Sequence, residues 1–318
     1  MGGALRARWR LSLLGGFELT GPDGTVDLGG KKTLALLAFL VCNSPQAQSR
    51  EKLATLLWGS HFEAQARQNL RQAVFRLRRA LGPETIATSG ELISLAAPIA
   101  CDVVEFQDLV REGNRAALRR AIEIYHGELL ADLSIPQEAW SDWVSSERRR
   151  LEVLALSAMV AFAEQELANG RPQSALAAAD RALIINDLRE DAHRLKICAL
   201  VEAGRKAEAL KHYEHLIDLL RRELGVEPDA ATVTLVTEIT TSKPSGQVAP
   251  PAGTPKPGRP ASQVPTNPVA SAEANAVHGA SALNAATNLA EKPQAPPYAP
   301  PGRSAPGISL TLARNVVS

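Results

Sequence analysis

Little sulfur, few aromatic side chains and no long apolar run characterise this 318-residue chain. Its three cysteines, Cys42, Cys101 and Cys198, are scattered and odd in number. That argues against a disulfide framework and for a reducing compartment, so a cytoplasmic location is expected. Phe, Trp and Tyr make up only 4% of residues, which leaves Leu, Ala, Val and Ile to build the core. No apolar stretch approaches the ~18 residues of a membrane span, so no membrane association is expected. The first 20 residues carry arginines followed by Leu11-Ser12-Leu13-Leu14, without the longer apolar run and small-residue cleavage site of a signal peptide. Trp9, Leu11 and Leu13 alternate with Arg10 and Ser12, the pattern of a strand. Also missing is any constellation of acid, base, nucleophile or metal ligands, so no enzymatic activity and no cofactor are expected.

What is present is unevenly distributed charge. The net of +1 conceals a basic block at residues 1–101 with 12 Lys+Arg against 7 Asp+Glu. Residues 102–240 are acidic, 17 against 25, and residues 241–318 are again basic, 6 against 2. Any polyanion should therefore bind at the N-terminal block.

That block reads as strands, then helices, then strands. Residues 10–20 and 25–28 form a strand pair around the turn Gly21-Pro22-Asp23-Gly24. A helix over 31–41 puts Leu34, Leu37, Ala38 and Val41 on one face, and Pro45 stops it. Ser49 is a natural N-cap for a second helix through Trp58. A third runs over 63–81 and ends at Gly82-Pro83. Two short strands, 85–88 and 92–95, close the winged helix-turn-helix plan.

Residues 102–240 read as helix after helix, with an internal repeat. Gly170-Arg171 recurs as Gly204-Arg205, Ala175-Leu176 as Ala209-Leu210 and Leu183 as Ile217, each offset by 34 residues, the tetratricopeptide period. Each helix pair leaves a face that only the next pair can bury. Beyond residue 241, 14 of the 21 prolines and few apolar side chains predict a disordered tail. The fold class expected is mainly α with small β hairpins: a winged helix (1–101), a tetratricopeptide-like repeat domain (102–240) and a tail (241–318).

The helix over 63–81 is the most informative segment. At about 100° per residue, Leu70, Val74, Leu77 and Leu81 share a narrow face. Gln68, Gln72, Phe75, Arg76 and Arg79 lie opposite, flanked by Asn69 and Arg71, with Arg67 and Arg78 near the boundary. Five arginines stand against one acidic residue, Glu63, without the interleaved glutamates of a merely solvated face. Such a helix suits the major groove, where Arg reads guanine and Gln or Asn reads adenine through paired hydrogen bonds. Gln68, Arg71, Gln72, Arg76 and Arg79 are the candidates for base edges or adjacent phosphates, and Arg67 and Arg78 for the backbone. Lys31 and Lys32 read equally as phosphate contacts at a helix start or as solvated lysines.

Several segments resemble one known family. They are Leu14-Gly15-Gly16-Phe17-Glu18-Leu19, Lys32-Thr33-Leu34-Ala35-Leu36-Leu37-Ala38, Ser49-Arg50-Glu51-Lys52-Leu53 up to Leu57-Trp58-Gly59, and Ala66-Arg67-Gln68-Asn69-Leu70-Arg71-Gln72 through Arg76-Leu77-Arg78-Arg79-Ala80-Leu81-Gly82. Downstream they are Tyr125-His126-Gly127-Glu128-Leu129-Leu130, Trp143 to Glu147-Arg148, Leu188-Arg189-Glu190-Asp191-Ala192-His193-Arg194 and Glu223-Leu224-Gly225-Val226-Glu227-Pro228. Over about residues 10–240 the chain resembles the Streptomyces antibiotic regulatory protein (SARP) type of transcriptional regulator. The resemblance implies an OmpR/PhoB-like winged helix joined to a bacterial transcriptional activator domain. It implies a recognition helix at 63–81 with residues 68, 71, 72, 76 and 78 toward double-stranded DNA. It further implies transcriptional activation, with the second domain supporting a homodimer or contact with RNA polymerase. One departure is the wing, where Gly90-Glu91-Leu92 replaces a Gly-Tyr-Arg-like element and offers no basic side chain. That departure supports a competing reading, a helical-repeat adaptor whose winged helix no longer binds DNA.

Other motifs carry less. Gly24 to Thr33 fails the Gly-x4-Gly-Lys-Ser/Thr spacing of a phosphate loop. His212 and His215 lack further metal ligands nearby in sequence, which favours a structural role. Cys42 and Cys198 read as small core residues. Trp140 and Trp143 read as packing anchors where the repeats begin, and Arg148-Arg149-Arg150 as capping or ion-pairing groups at least as readily as DNA contacts.

Overall fold

The computed structural model describes residues 8–241, so the expectation for the Pro-rich tail lies, Thr241 apart, outside the described residues. Strands β1 (Trp9–Ser12), β2 (Glu18–Gly21) and β3 (Gly24–Thr25) precede α1 (Lys31–Cys42). Then come β4 (Gln48–Ser49), α2 (Arg50–Trp58), α3 (Glu63–Leu81), β5 (Ile86–Ser89), β6 (Leu92–Leu95) and β7 (Ile99–Cys101). The remaining helices are α4 (Asp102–Glu112), α5 (Arg115–Ile124), α6 (Glu138–Ala168), α7 (Pro172–Ile185), α8 (Glu190–Glu202), α9 (Lys206–Leu224) and α10 (Ala230–Thr241). Among the described residues no helix is long and apolar enough to cross a membrane.

The segment predicted as one strand over 10–20 is two. Leu11 and Leu13 are buried as their alternation requires, but the chain reverses after Ser12 through Gly15, whose φ of +98° disfavours a side chain. β1 then pairs antiparallel with β2, Leu11 opposite Leu19. Two strands escape local pattern reading: β7 runs parallel to β1, and β4 adds to β6. The resulting sheets have the orders β3-β2-β1-β7 and β4-β6-β5, and α1, α2 and α3 pack with them as a winged helix.

The repeat period holds structurally. Gly170 and Gly204 both take left-handed conformations, φ +66° and +76°, after α6 and α8. Ala175 and Ala209, one turn into the following helices, are fully buried, because only a small residue lets the helix pairs approach closely.

One hydrophobic core runs from Trp9 through the winged helix and into the repeats as far as Ala199. The 31-residue α6, about 46 Å long at 1.5 Å per residue, is common to both halves. Near its start, Trp140 is buried and Trp143 meets the Phe39 ring of α1 edge-on, centroids 4.9 Å apart. Trp140 and Trp143 thus serve as anchors, and they hold the winged helix to the repeats. Two segments quoted for the family resemblance meet at the same junction. The Gly15 amide donates to the Glu128 carbonyl at 2.9 Å, and the Leu130 amide donates to the Leu13 carbonyl at 2.7 Å. Arg148 donates to the carbonyls of Leu129 and Leu130, a capping role.

Candidate nucleic-acid interface

Helix α3 divides its surface as the 3.6-residue period dictates. Ala66, Leu70, Ala73, Val74, Leu77 and Leu81 are buried. Arg67, Gln68, Arg71, Gln72, Phe75, Arg76 and Arg79 are exposed. The C-terminal end is fixed on both sides: the Trp9 indole and the Thr85 hydroxyl each donate to the Leu81 carbonyl, at 3.1 and 2.9 Å. Gly82, at φ +106°, ends the helix. The outward ridge therefore stands on a rigid base.

On that ridge the predicted residues differ in their partners. Arg71 donates to the Gln68 side-chain carbonyl at 3.1 Å, so the two present one pre-formed polar unit. Arg67 pairs with Glu63 at 2.8 Å. Arg76 reaches the Gly29 carbonyl at 3.5 Å. Among the described residues Gln72 and Arg79 have no hydrogen-bond or ion-pair partner. The helix C-terminus next to Arg78 and Arg79 offsets part of their mutual repulsion.

Arg78 is turned away from the ridge. Its guanidinium donates twice to the Ile86 carbonyl, at 3.0 and 2.8 Å, and once to the Thr88 hydroxyl at 3.0 Å. These bonds tie the wing strand β5 to α3. The boundary position that the helical wheel gives it lies beside β5.

The lysines join the ridge from a distant part of the sequence. Lys31 and Lys32 open α1, and with Gly30, Thr33, Trp58, Asn69, Gln72 and Arg76 they line one open cavity of about 320 Å³. Lys32 lies over the Trp58 ring, 5.6 Å from its centroid, and burial lowers its pKa. Lys31 is exposed. The helix start has no side-chain cap, and its two lysines line the same cavity as Arg76, an arrangement suited to an anion.

Sequence reading missed Arg50. The wing turn at Gly90 carries no basic residue of its own, yet Arg50 Nε donates to the Gly90 carbonyl at 3.1 Å and the Arg50 amide donates to Glu91 at 2.8 Å. A guanidinium thus stands at the wing tip, supplied by α2. The only local signal was the Ser49 N-cap, whose hydroxyl accepts from the Lys52 amide and thereby fixes where α2 begins. The turn between α2 and α3 is held from the repeats: Gln137 accepts from the Ser60 amide at 3.1 Å and donates to its hydroxyl at 2.9 Å.

The remaining candidates have structural partners. His193 and His212 stack and share a 2.8 Å hydrogen bond, with His215 beside them. Burial pushes His212 down to about 4. Burial also raises the thiols of Cys42, Cys101 and Cys198, Cys101 to about 12. Among the described residues no group of three or more His, Cys, Asp and Glu could hold a metal ion.

Residues 24–94 match the family described as "Transcriptional regulatory protein, C terminal", and residues 101–240 match "Bacterial transcriptional activator domain". The regulatory protein AfsR of Streptomyces coelicolor is 28% identical over 232 residues, 69% of this chain but 23% of the relative. The chain thus spans about a quarter of that protein's length. The regulatory protein DnrI of Streptomyces peucetius is 27% identical over 55% of this chain and 71% of its own length. A solved structure of Mycobacterium tuberculosis EmbR, in complex with a low-affinity phosphopeptide, superposes with a TM-score of 0.64 at 25% identity, covering 75% of this chain and 66% of that one. With both family matches falling on the two halves of its continuous core, the chain belongs to the SARP type of transcriptional regulator, an OmpR/PhoB-type winged helix followed by a bacterial transcriptional activator domain.

Proposed function

We propose that the chain binds double-stranded DNA sequence-specifically and regulates transcription, with α3 in the major groove. The observation that carries this reading is the ridge of exposed arginines and glutamines on α3, almost devoid of carboxylate partners and standing on a fully buried opposite face. Gln68, Arg71, Gln72, Arg76 and Arg79 meet base edges or the adjoining phosphates. Lys31 and Lys32 meet the backbone beside the α1 start, and Arg67 meets it near the beginning of α3. Arg78 acts indirectly, by fixing the wing. Arg50 at the wing tip supplies the cation that the wing sequence lacks, which weakens the adaptor reading. The match of residues 101–240 to an activator domain supports activation as the output, through self-association of the repeats or their contact with RNA polymerase.

Binding of the full-length protein to a duplex selected from a random pool tests the reading. The affinity should fall steeply with salt, by a slope of about 0.9 per neutralised phosphate. Arg76→Ala should weaken the selected duplex by about 1–3 kcal/mol, the worth of one paired base contact, with no change in Tm. Absence of binding at low salt would sink the proposal.

A further inference from the structure

Near the middle of the α3 ridge stands a residue that the polar reading does not use. Phe75 is 65% exposed. Arg71 and Gln72 lie one turn before it, Arg76 follows it directly and Arg79 lies one turn after. Leaving a phenylalanine in water forgoes the stabilisation that burying it would give. No cation covers the ring: among the described residues the cations stacked on rings are Arg8 on Trp9, Lys32 on Trp58 and Lys52 on Phe39, and none lies over Phe75. The ring projects from the same face as the groups assigned to base edges, where an apolar side chain has one natural counterpart. On the floor of the major groove the apolar group is the C5-methyl of thymine; the other features there are hydrogen-bond donors and acceptors.

We infer that Phe75 is a specificity-determining residue that packs on a thymine methyl within the bound site, between the bases met by Gln72 and Arg79. The inference rests on the DNA-binding reading above. The ring offers no hydrogen bond, so cytosine at that position would set an unsatisfied amino group against it and be disfavoured. 5-Methylcytosine would restore the apolar contact and part of the affinity.

The test uses the full-length protein and its selected duplex. Each thymine is replaced singly by uracil, which removes only the methyl. For the wild type, one or two positions should weaken binding about fourfold, the worth of one buried methyl-sized group, and the rest should be silent. Phe75→Ala should bind the thymine duplex more weakly and no longer distinguish thymine from uracil at those positions. Phe75→Leu should keep part of the discrimination. Both variants should retain the wild-type Tm, because the side chain is exposed. If the wild type is indifferent to every replacement, or Phe75→Ala keeps the discrimination, the inference fails. Should salt-dependent binding and its loss in Arg76→Ala persist in that case, the DNA-binding reading survives. Loss of all duplex binding by the wild type would overturn both.

Discussion

The arginines of α3 and those of the helical repeats are one residue type in opposite surroundings. Of the five in α3, Arg67 alone has a carboxylate within ion-pair distance among the described residues. Between residues 102 and 240, twelve of the fourteen arginines are so paired. Exposed pairs stabilise little, typically up to about 1 kcal/mol, so the pairing in the repeats chiefly neutralises their surface. The like charges three and four apart on α3 repel by a few tenths of a kcal/mol each. An incoming polyanion relieves that repulsion. The difference separates cations that the fold pairs with carboxylates from cations that it leaves without one.

The strongest way to break this comparison is to exchange the roles of the two faces of α3. Leu77→Ala, at a fully buried site, should lower stability by about 2–5 kcal/mol, read as a large fall in Tm. Arg79→Ala, on the exposed side, should stay within ~0.5 kcal/mol of wild type while weakening duplex binding. Comparable Tm losses for both would mean that Arg79 is part of the fold.

A smaller effect is expected in the repeats. Glu166 is fully buried and pairs with Arg115 and, at 3.4 Å, with Arg171. Glu166→Gln removes the charge and keeps the shape. Because both arginines remain about half in water, the loss should be about 1–2 kcal/mol, at or below the low end for broken buried pairs. Chemical denaturation would read it, and the selected duplex should bind as before.

Acid should sharpen the contrast further. His193 and His212 are held neutral by burial, with Lys196 and His215 pushing in the same direction and Asp180 and Asp187 opposing. Above the ordinary histidine value of about 6.5 the folded and unfolded states are both neutral, and this stabilisation is complete. As pH falls from there toward about 4, the value of His212, the unfolded chain takes up protons that the fold refuses, and stability declines. Tm should therefore drop between pH 7 and 5, and His212→Gln should flatten the decline. Affinity for the selected duplex at pH 6 should match that at pH 7 while the fold persists.

Much of α3 was legible because its information is local: the 3.6-residue spacing of Leu70, Val74, Leu77 and Leu81, and the Gly82-Pro83 stop. The repeat was legible from its 34-residue spacing. Non-local pairing was not. β7 lies beside β1 across almost the whole winged helix, and three residues, Ile99–Cys101, are too few for a period to show. Arg78 and Arg79 look alike in sequence, and only the path of β5 decides which one turns inward. Arg50 reaches the wing because β4 pairs with β6, a two-residue match that no composition signals.

The grip of Gln137 on Ser60 bears on how such proteins can be recombined. A cut after Cys101 would leave the corner between α2 and α3 without its companion and strip Phe39 of the Trp143 edge. A chimera exchanging only the N-terminal hundred residues should therefore inherit a reader of altered pitch, whereas one carrying residues 125–148 along should keep its aim. The same two bonds tie the corner before α3 to the residue that opens α6.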